Sequence, residues 1–317
     1  FDKVGMAGPR YNADHLKPGD TAAIGHAKFD FKDLRPVAPL TWSNNAGAGG
    51  LYSSVHDLAL WMNVQLAGGR LADGSPLFSE KTQQQMWQMQ IPQVVAAPSV
   101  PELAPARPNF AGYGEGWSLS DYRGQKLVWH TGGWPGQVSR LTLVPDQKLG
   151  VVVLTNQESG AAFNAITMSV LDAMLGAPAH DWVAAYAASV AKAQDNADAG
   201  WQKHVAARDA GSRPSLPLSG YAGTYRDAWY GDVYLEQKGG ALRLRFGATA
   251  DLVGRLEHWQ HDTFIVRWDN RSLNADAFVN FNLDPDGKVR EVRMQAVSPL
   301  TDFSFDFQDL LLVPVKD

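Results

Sequence analysis

Two hydrophobic periods divide the chain. As far as Gly211 the apolar residues recur at helical spacing or in short unbroken runs, and from Gly220 they alternate with polar ones. In the first part, Ser53-Ser54 opens a helix on which Val55, Leu58, Met62 and Leu66 fall at spacings of 3, 4 and 4 before Gly68-Gly69 ends it. Residues 78–90 form a second helical stretch, started by Ser79 with Glu80 behind it. Five prolines between 92 and 108 predict an irregular excursion. The runs 112–120, 125–130, 137–144 and 150–155 predict consecutive antiparallel strands. Phe163, Ile166, Val170 and Met174 mark a helix that would pack on that sheet. A long helix is expected after Pro178, with Trp182, Tyr186, Val190, Ala193, Ala197 and Trp201 as its apolar stripe. Residues 1–50, rich in Gly, Pro, Asn and Asp, predict loop with short elements.

In the second part Leu242, Leu244 and Phe246 alternate with Arg243 and Arg245, and Val279, Phe281 and Leu283 with Asn280 and Asn282. Val292, Met294 and Ala296 alternate with Arg293 and Gln295, and Phe303, Phe305 and Phe307 with Asp302, Ser304 and Asp306. Hairpin turns are expected at 238–240 and 284–287. Seven or eight short strands at this spacing predict a barrel or sandwich of about 100 residues. The expected organisation is a first domain over 1–178, a connecting helix and linker over 179–217 ending at Pro214 and Pro217, and a β domain over 218–317.

A length of 317 residues suits about two domains. Apolar and charged contents of 45% and 19% are those of an ordinary globular chain, and a net charge of −5 gives no reason to expect nucleic acid or an anionic membrane as partner. No apolar run approaches a membrane span. The absence of cysteine excludes disulfides, thiol catalysis and thiolate metal ligands.

The most informative chemistry is His130-Thr131-Gly132-Gly133, set between two apolar runs. With Trp134-Pro135-Gly136, Pro145-Asp146 and the run 149–156, it resembles the Lys/His-Thr/Ser-Gly strand of serine β-lactamases and penicillin-binding proteins. The segments Phe1-Asp2-Lys3-Val4-Gly5-Met6 and 46–61 resemble further segments of β-lactamase-related serine hydrolases, and 220–313 resembles the lipocalin-like domain often fused behind them. The fold so implied is α+β: an incomplete β-lactamase/transpeptidase-like antiparallel sheet with packed helices, then a small lipocalin-like antiparallel barrel. The function implied is acyl transfer from an amide, ester or lactam through an acyl-serine, on a small-molecule or peptide-like substrate, with no cofactor or metal. The resemblance assigns His130 to the proton shuttle, Gly133 to the oxyanion hole through its N–H, and Thr131 and Gly132 to the same substrate-binding wall. It also implies a periplasmic or secreted protein.

The family's nucleophile lies in Ser-x-x-Lys, far before this strand. The chain has one such match, Ser189…Lys192, after the strand and inside the long helix, where it reads as a decoy. No Tyr-x-Asn occurs, and Ser-x-Asn occurs only at Ser43-Asn44-Asn45 and Ser272-Leu273-Asn274. By the resemblance, the nucleophile segment would precede Phe1. Trp134 and Gln137 are candidates for the mouth of the site, Trp134 equally for plain packing, and Glu158 reads as a solvated charge more than a rim residue. The glycines of 112–116 read as strand glycines, and His258 and His261 as a surface hairpin lacking a third metal ligand. The rival reading is a non-catalytic ligand-binding or regulatory protein on the same fold.

Overall fold

The computed structural model describes residues 1–11, 13–41 and 47–315. Two compact units emerge, one spanning 1–27 and 34–192, the other taking 28–33 and the described residues from Ala193 on. The division falls inside the long helix expected after Pro178.

The short elements expected before residue 50 include β1 (Arg10–Tyr11) in the first unit, and β2 (His26–Phe29) and β3 (Asp33–Pro36), which run from the first unit into residues 28–33 of the second. β1 pairs with β4 (Leu51–Tyr52), and β2 pairs with β3. Ser54 caps α1 (Val55–Leu66) by accepting the Asp57 N–H at 3.2 Å, and Ser79 caps α2 (Glu80–Met86) by accepting that of Thr82 at 3.0 Å. α2 stops short of the expected residue 90 because the sheet recruits the chain beyond it. The Met86 carbonyl accepts the Glu115 N–H at 3.0 Å and Gln90 donates to the Tyr113 carbonyl at 2.8 Å.

The sheet is an antiparallel meander of β5 (Ile91–Gln93), β6 (Ala111–Tyr113), β7 (Ser118–Tyr122), β8 (Gln125–Trp134), β9 (Gln137–Val144) and β10 (Leu149–Thr155). The single strand expected over 112–120 is two strands with a turn between them. Gly116 sits at φ 76°, and a Cβ at Gly114 would lie 2.3 Å from the Met86 carbonyl oxygen, so neither position continues a strand with an L side chain. β5, inside the proline-rich excursion, is an edge strand, where Pro92 deprives no central ladder of a donor.

Apolar side chains fill both faces of the sheet. Leu119, Val128 and Leu143 pack with Met62 of α1 and Trp117. Leu127, Val144, Val151 and Val153 pack with Phe163, Met168 and Leu171 of α3 (Gly160–Met174) and with Trp182 and Ala185 of α4 (Trp182–Ala207). Each such side chain taken fully from water contributes about 1.5–3 kcal/mol. One charge is built into this packing. Asp172 is 4% exposed and accepts from Tyr122 Oη at 2.5 Å, Trp182 Nε1 at 2.7 Å and Arg123 Nε at 2.9 Å. Burial works to raise its pKa, and the bonds from Tyr122, Trp182 and Arg123 outweigh it, leaving the carboxyl below its ordinary value.

The second unit is a nearly closed antiparallel barrel of β11 (Gly223–Asp227), β12 (Gly231–Lys238), β13 (Ala241–Phe246), β14 (Val253–Gln260), β15 (Thr263–Trp268), β16 (Ala277–Leu283), β17 (Val289–Ala296) and β18 (Val313–Pro314). β18 pairs with β11, and Val292 of β17 exchanges backbone bonds with Leu312 at 2.8 and 3.1 Å, bringing the two ends together. The inward set includes Leu242, Leu244, Val279, Phe281, Val292 and Met294, with Tyr221, Phe264 and Trp268 filling the centre. Arg245 and Arg293 alternate outward and are exposed. The alternation at 302–307 does not make a strand. Asp302 turns the backbone by accepting the Ser304 N–H at 3.0 Å, Phe303 is 90% exposed, and Phe307 is buried in the core with Phe305 packed against it. The hairpin tip 28–33 is held here by Asn274, which accepts the Phe31 N–H and donates to the Lys28 carbonyl, both at 2.7 Å. Among the described residues no helix is long and apolar enough to cross a membrane.

Candidate active site

His130-Thr131-Gly132-Gly133 lies within β8, which continues through Trp134 rather than ending at His130. β9 pairs with β8 along Val128–Trp134, whereas β7 reaches only as far as Trp129, opposite Ser118. Residues 130–134 are therefore laddered by a strand on one edge only, and the other edge carries no strand among the described residues. Such an edge presents backbone N–H and C=O groups to whatever lies beside it.

The two-residue turn after Trp134 holds this end in place. Gly136 stands at φ 78°, and a Cβ there would meet the His26 nitrogen at 2.6 Å. Its N–H donates to Glu158 Oε1 at 2.5 Å and its carbonyl accepts the His26 N–H at 2.9 Å. Glu158, expected as a solvated charge, is exposed but serves this turn. Gln137 likewise anchors the neighbouring segment, donating to the Ala23 carbonyl at 3.1 Å. The Trp134 ring lies against Gly49, where an added Cβ would come within 3.4 Å.

The four site residues share one strand edge. His130 and Gly132 alternate with Thr131 and Gly133 between the two faces of the sheet. His130 is exposed, opposite Leu141, with Nε2 2.9 Å from Tyr113 Oη and Nδ1 2.6 Å from the Thr131 carbonyl oxygen. Thr131 is half-buried opposite Arg140. Gly132 faces Ser139, whose Oγ would stand 2.6 Å from an added Cβ. At Gly133 a Cβ would meet nothing within 4 Å, so the strand there borders open space.

Two further residues join this wall. Tyr113, at the end of β6, was not visible as a site residue because nothing local pairs it with a position 17 residues on. Arg140 is a half-buried guanidinium over the Trp129 ring, 4.3 Å from its centroid, bonded to Thr142 Oγ1 at 3.0 Å and Asn164 Oδ1 at 2.5 Å. Burial pulls its pKa down to about 10 against a smaller opposing contribution from Tyr186. The local signal was a single arginine inside a strand-forming run with no other charge.

The weaker candidates separate from this region. Ser189 bonds Ser99 Oγ at 2.7 Å and Lys192 donates to the Ser99 carbonyl at 2.6 Å, so both are committed to the proline-rich excursion. Ser43-Asn44-Asn45 lies outside the described residues. His258 Nε2 lies 2.9 Å from the His261 carbonyl oxygen, a hairpin contact. A cavity of about 270 Å³ lies under the excursion, between Val95, Leu103, Pro108 and Tyr186, and one of about 300 Å³ on the barrel between His204, Trp259 and Phe278. His130 lines neither.

Comparison with known proteins bears on both units. Residues 207–314 match a family described as a domain of unknown function, DUF3471. The unguisins hydrolase ungD of Aspergillus violaceofuscus is 28% identical over 315 residues, covering 92% of this chain and 55% of that protein, so the chain spans about half the length of its curated relative. The octameric penicillin-binding protein homologue from Pyrococcus abyssi is 19% identical, covering 98% of this chain and 57% of its own, with a TM-score of 0.46. A class C beta-lactamase from Rhodobacter sphaeroides is 17% identical, covering 55% and 52%, with a TM-score of 0.40. The beta-lactamase family model matches residues 1–174 of the 317 and includes the whole His-Thr-Gly-Gly wall: the chain belongs to the beta-lactamase family.

Proposed function

We propose that this chain supplies the electrophile-stabilising wall of a serine hydrolase that transfers an acyl group from an amide, ester or lactam through an acyl-serine. The observation that carries this reading is the strand edge at 130–134. It is unladdered on one side, borders open space at Gly133 and presents His130. An acyl group lying along that edge would meet the Gly133 N–H as oxyanion donor and His130 as proton-transfer partner, with Thr131 and Gly132 completing the wall. The nucleophile would come from a Ser-x-x-Lys segment set against this edge, the partner this wall needs. The reading requires no cofactor. The substrate would be a small or peptide-like acyl compound, and the setting periplasmic or secreted.

A second reading, a non-catalytic ligand-binding or regulatory protein, is favoured by one observation: the sole Ser-x-x-Lys of the chain is tied to Ser99. Intact mass of the natural product and two assays separate the readings. The isolated 317-residue chain should not hydrolyse a chromogenic lactam or a short-chain ester. A protein in which such a segment accompanies this wall should, and His130→Ala should lower its kcat/KM by about 10²-fold or more. An effect under about threefold leaves His130 structural, and turnover by the isolated chain that Ser189→Ala abolishes overturns the proposal.

A further inference from the structure

Tyr113 and Thr131 contact opposite nitrogens of the His130 ring; the Thr131 carbonyl, an acceptor only, selects one protonation pattern, and the Tyr113 hydroxyl, a better donor than acceptor, reinforces it. The Thr131 carbonyl, 2.6 Å from Nδ1, can only accept a hydrogen bond, so Nδ1 must carry a proton. Neutral imidazole has one N–H, so Nε2 is then a bare lone pair. The group facing that lone pair at 2.9 Å is the Tyr113 hydroxyl, which can donate to it. The two rings meet edge to face, with centroids 6.0 Å apart and planes at 63°, so the phenol also limits rotation of the imidazole.

The placement of Tyr113 is itself secured. Its carbonyl accepts the Gln90 N–H at 2.8 Å, its backbone pairs with Ser118, and the chain must turn directly after it because Gly114 is pressed against the Met86 carbonyl. We propose that Tyr113 is a positioning residue of the site, holding His130 as the Nδ1–H tautomer with the bare Nε2 lone pair aimed at the phenol. This deepens the acyl-transfer reading and takes its catalytic meaning from it.

The test uses the 317-residue chain labelled with ¹⁵N-histidine, with long-range ¹H–¹⁵N spectra recorded at about pH 9, where an ordinary imidazole is neutral. His130→Ala identifies the signals. The expected wild-type pattern is a pyrrole-type Nδ1 and a pyridine-type Nε2. Tyr113→Phe should leave the melting temperature nearly unchanged while raising the Nε2–H share about fivefold, the factor that loss of one hydrogen bond of ordinary net strength implies. A wild-type ring that is mainly Nε2–H, or a tautomer ratio that Tyr113→Phe does not move, overturns the proposal. Should that variant not fold, 3-fluorotyrosine incorporation, read at about pH 7.5 where the more acidic phenol keeps its proton, makes the phenol a stronger donor at nearly constant shape and must shift the Nε2 resonance; no shift also overturns it. No substrate is involved, so the outcome is independent of whether the longer protein hydrolyses anything.

Discussion

Replacing Asp172 by Asn tests whether a buried charge organises the first unit. The side chain keeps its size, but one carboxylate oxygen becomes NH₂. Oδ1 receives Tyr122 and Arg123, and Oδ2 receives Trp182. Whichever way the amide turns, at least one donor loses its acceptor, at a cost of about 1–3 kcal/mol. The bonds that remain lose their charge assistance, about another 1 kcal/mol. Arg123 recovers part of its share from water, being 31% exposed, so the net expectation is about 2–3 kcal/mol. Urea unfolding followed by tryptophan fluorescence should show a lower midpoint with an unchanged slope. The pH dependence has a definite sign. The folded-state pKa of Asp172 lies below its unfolded value, so its contribution is present above about pH 4 and disappears as pH falls through the folded value. The gap between wild type and variant should therefore narrow on acidification. A gap under about 1 kcal/mol at neutral pH, or one that does not narrow, would refute the reasoning.

Three further outcomes follow from the geometry. Gly133→Ala should change stability by no more than about 0.5 kcal/mol, whereas Gly132→Ala should cost about 1 kcal/mol by displacing Ser139, with Ser139→Ala restoring the loss in a thermal-melt cycle. Gly69→Ala should cost about 2 kcal/mol or more in the same assay, because φ is 84° and the new Cβ would lie 2.4 Å from the Phe78 carbonyl oxygen. Residues 214–317 expressed alone should give dispersed amide NMR signals and a cooperative melt. Leu244→Ala in that fragment should cost about 2–5 kcal/mol, since Leu244 is fully buried at the barrel centre.

Local rules sufficed where a signal and its effect lie within a turn of one another. Ser54 and Ser79 cap helices because a hydroxyl beside three free N–H groups has an acceptor role waiting for it. Alternation placed Leu242, Leu244, Phe281 and Val292 inside a barrel because side chains on a strand point to opposite faces in turn. The same rule failed at 302–307, where an Asp302 turn within the run competes with a strand. The wall at 130–133 was legible as a motif, but its edge was not. That β8 outruns β7 by five residues is a property of register between strands. So is the pairing of Tyr113 with His130, whereas the gathering of Tyr122, Arg123 and Trp182 around Asp172 depends on how α3 and α4 pack on the sheet. By itself the sequence determined the periods, the caps and the chemistry on offer. The tertiary structure alone decided which of those groups meet, because helix packing and strand register are set between elements distant in the chain, and a shift of one residue in register turns a strand's side chains to the opposite face.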